Sequence, residues 1–217
     1  MEGKKVLLCT GETFCRGNKE KQEPPYYRAP FGGDAANITI VENGGQDKIC
    51  YEFHQDGSQR KCLVIPDGAF RNPMTVEQIQ NQIVRMPLTG VVMDGSTVFN
   101  FAQKEVPILV DSLTKMAETT KEDIDWFLFH QPNKFMLQKL AERIGVPFEK
   151  MPMDIVEKFG NSNSATIPTA ITADLKEEML NKESLCCLAG FGAGVAWAGI
   201  IMKMGNMDFC DTIISDL

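Results

Sequence analysis

The residues able to do chemistry fall in three short polar pieces. They are Phe129-His130-Gln131-Pro132-Asn133, the run Gly-Asn-Ser-Asn-Ser-Ala-Thr-Ile-Pro from Gly160 to Pro168, and Gly190-Phe191-Gly192-Ala193-Gly194. Each follows or joins an apolar run, so each reads as the end of a buried strand handing over to a helix or a tight turn, where open α/β sheets place their sites. One site built from three loops is the expectation. His130 and Asn161 are its candidate catalytic residues. A neutral imidazole N–H and a carboxamide NH2 can converge on one oxygen and stabilise negative charge there without adding a net charge of their own. Gly192 and Gly194 can take backbone angles closed to other residues, which lets the N–H of Ala193 point at a substrate oxygen. Each position also has a plainer reading: a satisfied strand-edge histidine, a loop asparagine tolerant of positive φ, and a turn that merely links two strands.

The elements that must position these loops can be read from pattern. Lys4 to Thr10 is rich in Val and Leu and short enough for a strand covered on both faces, ended by Gly11. Glu12 to Arg28, with Pro24-Pro25, is a surface loop. Asn37 to Val41 alternates, and Asn43-Gly44-Gly45 turns the chain toward Lys48 to His54, giving a hairpin or near-hairpin. Apolar positions from Val98 to Ala117 recur at helical spacing, with a kink expected near Gln103 because Pro107 lacks the N–H that its carbonyl needs. Thr120 to Asp123 resembles a capping box before a strand at Trp126 to Phe129. Met136, Leu137, Leu140, Ala141 and Ile144 define a helix closed by Gly145 and Pro147. Met151 to Val156 reads as a short strand, and a helix follows Asn161. Ser184 to Ala189 and Val195 to Met204 read as adjacent central strands.

Taken in order, His-Gln-Pro-Asn, Gly-Asn-Ser-Asn-Ser-Ala-Thr-Ile-Pro and Gly-Phe-Gly-Ala-Gly-Val-Ala-Trp resemble the C-terminal half of 3-oxoacyl-[acyl-carrier-protein] synthase III, a condensing enzyme of the thiolase superfamily. The likeness extends upstream through Met93 to Phe99 and Asp123 to Phe127, and more loosely through Phe53 to Ser58 and Val6 to Thr13. It implies a thiolase-like α/β fold of mixed β-sheets layered with α-helices. It divides the chain into the remainder of an N-terminal half with its linker (1–89), a C-terminal domain carrying the histidine and asparagine (90–205) and a tail (206–217). The implied activity is acyl transfer from acyl-coenzyme A, followed by decarboxylative condensation with a malonyl-acyl carrier protein in a homodimer. The resemblance places Arg16 against the adenine end of coenzyme A and gives Asn133 and Gly192 substrate-side roles. It sets the Ala193 N–H in an oxyanion hole and makes Lys134, Lys139 and Arg143 a docking face for the acidic carrier. A solvated loop arginine, a helix N-cap at Asn133 and a solvated helix face remain open beside these. Two departures matter. No cysteine sits in the Ala-Cys-Ser-like context of the family's nucleophile, so the chain is expected to be an inactive fragment of a longer enzyme, or else a non-catalytic partner subunit. The loop Phe31-Gly32-Gly33-Asp34 also exchanges the family's usual glycine and aspartate.

Composition narrows the classes further. A net charge of −7 over 217 residues argues against nucleic acid as the main partner. No apolar run approaches a membrane span and the N-terminus lacks a secretory segment, so a cytoplasmic, soluble protein is expected. The seven cysteines are scattered without Cys-x-x-Cys spacing and there are two histidines, which argues for reduced thiols and against a metal site. No cofactor is expected beyond the coenzyme A thioester as substrate.

Overall fold

The computed structural model describes residues 5–13, 32–42, 47–64 and 92–215, together with positions 45, 66, 70, 72, 73, 75–77 and 80. The strands are β1 (Lys5–Thr13), β2 (Asp34–Glu42), β3 (Cys50–Gln55), β4 (Leu63–Val64), β5 (Val92–Met93), β6 (Trp126–Phe129), β7 (Glu183–Gly192) and β8 (Ala196–Gly205). The helices are α1 (Gly95–Met116), α2 (Lys134–Ile144), α3 (Ile155–Phe159), α4 (Thr166–Asp174) and α5 (Lys176–Asn181).

The main sheet runs β3-β8-β7-β6, with β6 parallel to β7 and the other pairs antiparallel. Its two inner strands are the two apolar runs of the C-terminal part. On one face lie α1 and α2. The stripe Phe101, Ala102, Val106, Leu109, Val110 and Leu113 on α1 is buried, and the Asp94 carboxylate caps its first turn by accepting from Thr97 N–H at 3.1 Å. Fully burying each such Leu or Val contributes about 2 kcal/mol. Gln103 donates to the Met136 carbonyl at 3.2 Å, joining α1 to α2 across the core. On the other face α4 and α5 bring Ile171, Leu175 and Met179 against Leu128 and Cys186.

The ribbon β1–β2 stands apart. Its nine-residue strands pair antiparallel from Lys5↔Glu42 to Thr13↔Asp34, yet Val6 (61%), Leu7 (62%) and Ile38 (65%) are exposed. The expectation of a strand covered on both faces therefore fails for β1 among the described residues. A two-stranded ribbon has two faces, and α4 with the turn before it reaches one of them locally. Asn37 Nδ2 on β2 donates to the Ala165 carbonyl and to Thr169 Oγ1, both at 3.3 Å.

Two further expectations are corrected. The chain from β2 to β3 is not a hairpin, because β2 pairs with β1 while β3 forms the edge of the main sheet against β8. The main sheet thus draws a strand from before the expected boundary near Thr89, which itself lies outside the described residues. Met151 to Val156 is not a strand. Met151, Met153 and Ile155 are buried in alternation, but among the described residues no neighbouring strand pairs with them, and the segment passes into α3.

Candidate active site

The first loop begins where β6 ends. His130 N–H donates to the Ala189 carbonyl of β7 at 2.8 Å. The buried Gln131 amide donates to the carbonyls of Phe129 at 3.0 Å and Pro152 at 2.9 Å, which fixes the exit of the strand. Asn133 caps α2, its Oδ1 accepting from Met136 N–H at 2.8 Å. The plainer of its two readings, the helix N-cap, is present, since an N-terminal N–H needs an acceptor.

The second loop depends on two glycines packed backbone to backbone. Gly160 ends α3 with φ +72°, and a Cβ there would overlap the Gly32 carbonyl oxygen; a Cβ on Gly33 would overlap the carbonyl oxygen of Phe159. The approach lets Gly33 N–H donate to the Asn161 carbonyl at 3.0 Å. Asn161 Oδ1 accepts from Asn163 N–H at 2.9 Å. A backbone N–H can donate but not accept, so the carboxamide oxygen is the atom facing Asn163. The NH2 is turned elsewhere and meets no acceptor among the described residues.

The same turn holds the histidine. His130 Nδ1 lies 2.9 Å from Thr166 Oγ1, which also accepts from Gln131 N–H at 3.3 Å and donates to the Asn163 carbonyl at 2.8 Å. His130 retains some exposed surface, yet enclosure of its ring dominates its acidity. Burial pushes its pKa down from 6.5 to about 4, partly opposed by the Asn163 carbonyl, so the imidazole is neutral near pH 7.

The third loop is the β7–β8 turn. Phe191 meets the His130 ring edge to face, with centroids 5.5 Å apart and planes at 78°. Asp56 after β3 exchanges backbone hydrogen bonds with Val195 at 2.8 and 3.1 Å, anchoring the turn. Gly194 takes φ +138°, but Gly192 has no positive φ. The expectation of special backbone angles therefore holds at Gly194 and is corrected at Gly192, where the β7 ladder to Ala196 keeps the backbone extended. Ala193 is exposed at the tip with no positive φ.

Three loops thus meet: His130 and Asn161 are both bound to the 163–166 turn, and Phe191 joins them. Arg16 lies outside the described residues. Lys134 is paired with Asp154 at 2.7 Å and Glu157 at 3.4 Å, and Lys139 with Glu142 at 2.7 Å, while Arg143 is exposed. Cys186 and Cys187 are fully buried in β7, and burial pushes each thiol up to about 12. A shallow cavity at the far end of α2, lined by residues that include Lys121, Gly145 and Lys150, is remote from His130. Its lysines bind carbonyls, Lys121 that of Ile144 and Lys150 those of Glu122 and Ile124. Among the described residues no group of three or more metal-ligating side chains gathers, and no helix is long and apolar enough to cross a membrane. Sequence reasoning gave no role to Thr166, Gln131 or Gly33. The one available signal was a hydroxyl residue three positions after Asn163.

The mixed sheets with helices on both faces are those of a thiolase-like α/β protein. Residues 114–204 match the family model described as 3-Oxoacyl-[acyl-carrier-protein (ACP)] synthase III C terminal. The chain is 32% identical over 172 residues to the beta-ketoacyl-[acyl-carrier-protein] synthase III of Synechocystis sp., covering 79% of this chain and 51% of that protein. It is likewise 32% identical over 174 residues to the synthase III of Natranaerobius thermophilus, covering 79% and 51%. The crystal structure of a 3-oxoacyl-(acyl-carrier protein) synthase from Burkholderia xenovorans LB400 superposes with a TM-score of 0.81 at 33% identity, over 98% of this chain and 59% of that one. The chain spans about half the length of the curated relatives it matches.

Proposed function

We propose that this chain supplies the decarboxylation half of a synthase III-type condensing site, acting on acyl-coenzyme A and a malonyl-acyl carrier protein. In that reaction the bond between the malonyl carboxylate and its methylene breaks, carbon dioxide leaves, and the electron pair enters the thioester carbonyl as an enolate. The enolate carbon then attacks an acyl thioester and expels its thiolate. Charge on the enolate oxygen is the obstacle, and donors fixed in a dry site lower it by about 3 kcal/mol each. The single observation that carries this reading is the shared anchorage of Asn161 and His130 on the 163–166 turn, with the Asn161 NH2 left available. The thioester enters as substrate, and no resident cofactor is needed.

Acylation requires a thiolate, and the two cysteines nearest the site in sequence, Cys186 and Cys187, have pKa values raised to about 12. Neither is a ready nucleophile, and no cysteine of the sequence sits in an Ala-Cys-Ser-like context, so we take the nucleophile from outside these 217 residues and expect no acyl adduct on this chain alone. The working protein is a cytoplasmic homodimer that does not bind nucleic acid, and Arg143 with Lys134 and Lys139 faces the acidic carrier. The ion pairs at both lysines leave Arg143 the strongest of the three for that purpose.

The test is incubation with malonyl-coenzyme A, scored by acetyl-coenzyme A formed. The expected outcome is slow decarboxylation that falls about 100-fold in Asn161→Ala. A rate equal to the uncatalysed one in the wild-type chain, or one untouched by Asn161→Ala, contradicts the proposal. A second reading, a synthase-like subunit without catalysis of its own, is favoured by the apolar exposure of β1 and β2. It predicts tight pairing with an intact synthase and no decarboxylation.

A further inference from the structure

Helix α4 grows out of the 163–166 turn that binds His130 and Asn161, and its sequence is a poor one for a helix. Five of the nine residues of Thr166–Asp174 are β-branched, and no side chain among the described residues caps its first turn. Such a helix keeps its shape by what grips it from outside. Thr166, Thr169 and Thr172 stand three residues apart, and each offers its hydroxyl to a different part of the chain. Thr166 Oγ1 meets His130 Nδ1 at 2.9 Å, and Thr169 Oγ1 accepts from Asn37 of the ribbon at 3.3 Å. Thr172 gives its own proton to the Thr169 carbonyl at 3.3 Å, which leaves a lone pair for the Thr212 hydroxyl at 2.8 Å. The third grip therefore comes from the C-terminal tail.

Residues 206–215 form neither helix nor strand, so no strand ladder holds them. The anchors of the inner part, Met207 to Thr212, fall on α4 and α5. Met207 N–H donates to the Met179 carbonyl at 2.9 Å. Cys210, 5% exposed, packs with Ile171, Leu175 and Met179, its Sγ 3.9 Å from the Ile171 carbonyl oxygen. Asp211 pairs with Lys176 at 2.8 Å and accepts from Thr212 N–H at 2.9 Å, which fixes the backbone from which Thr212 reaches Thr172. Ile213 and Ile214 are 90% and 81% exposed, so the packed part ends at Thr212. All of these tail residues lie beyond the family match, which stops at 204. We infer that Met207 to Thr212 is a strap that positions α4, and through α4 the turn on which His130 and Asn161 hang. When it lets go, α4 and the turn open together, and the sheet beneath them stays closed.

What the strap means for catalysis rests on the functional reading above; its grip on α4 does not. The test is amide hydrogen exchange of the full 217-residue chain in low urea. Asn163, whose N–H holds the Asn161 carboxamide, reports the site; Ala170 and Leu175 report α4, Met207 the strap, and Cys187 with Ile201 the main sheet. In the wild type the first four are expected to share one free energy of opening, below that of the two sheet amides. Thr212→Val removes the hydroxyl and keeps the branched shape. It speeds exchange at Asn163, Ala170 and Leu175 about fivefold, the equivalent of one hydrogen bond, while Thr212→Ser keeps the slow rates. In a Thr172→Val background it adds nothing, because the partner is already gone. Three results overturn the inference: Met207 opening at a free energy of its own while α4 stays closed, all six amides opening together, or an Asn163 rate untouched by Thr212→Val. The first of these needs no variant, so a Thr212→Val chain that fails to fold leaves the test intact. None of the readouts uses malonyl-coenzyme A, so a wild-type chain that decarboxylates nothing counts against the functional reading alone.

Discussion

The main sheet and the β1–β2 ribbon are made from similar apolar sequence and end in opposite states. Phe127, Leu128 and Phe129 of β6 are fully buried between α2 on one face and α4 with α5 on the other, whereas Leu7 and Ile38 of the ribbon stay largely exposed. Apolar composition therefore gives a strand its preference for burial but not its burial, which needs a layer on each face. The two regions touch where the Gly33 and Gly160 backbones cross, where the 163–165 turn lies against β1 and Ser164 donates to Glu12, and where Asn37 reaches α4, and Asn161 hangs from the glycine crossing. The candidate site thus sits at the border between a finished core and an unfinished one.

Substitutions can break or sharpen this contrast, and the largest effect belongs to the core. Phe127→Ala removes a fully buried ring and is expected to cost about 4 kcal/mol in urea unfolding; a loss below about 1 kcal/mol denies that the sheet is the stable unit. Next comes pH. His130 in the unfolded chain titrates near 6.5 and in the folded chain at about 4, so between these values the unfolded state binds more protons. The neutral ring's contribution is complete above 6.5 and is lost as pH falls toward 4, by at most ~3 kcal/mol. Subtracting the urea profile of His130→Gln isolates it, and a difference flat from pH 7 to 4 contradicts the burial.

Gly160→Ala puts a Cβ at φ +72° and against Gly32, with an expected cost of about 2 kcal/mol and faster amide exchange in the ribbon than in β7. Equal acceleration in both regions erases the border. Asn133→Ala removes the α2 cap, for about 1 kcal/mol. The smallest effect is on the ribbon itself: Leu7→Ala changes the stability of this chain by less than ~0.5 kcal/mol. A larger loss means that β1 is covered after all.

Much of the site was legible because its signals are local. Strand β6 and the helix after it follow from an apolar run, Asn133 and Gly145, and the β7–β8 pair from two long apolar runs joined by glycines. His130 and Asn161 stood out by residue type at strand and helix ends. Long-range facts were not legible. Whether β3 would pair with β2 or with β8, more than 140 residues on, depends on loop closure rather than local pattern. The Thr166 hydroxyl acquires its meaning only when His130, 36 residues before it in sequence, arrives beside it. Met151, Met153 and Ile155 alternate as a strand does, and no partner strand comes among the described residues.

The shared oxygen is open to direct measurement. In 15N-labelled chain titrated with a malonyl-coenzyme A analogue whose thioester sulfur is replaced by methylene, the account predicts that the Asn161 NH2 and the His130 Nε2 resonances shift together, with one binding curve. A shift at one of them alone, or at neither while the analogue binds, contradicts it.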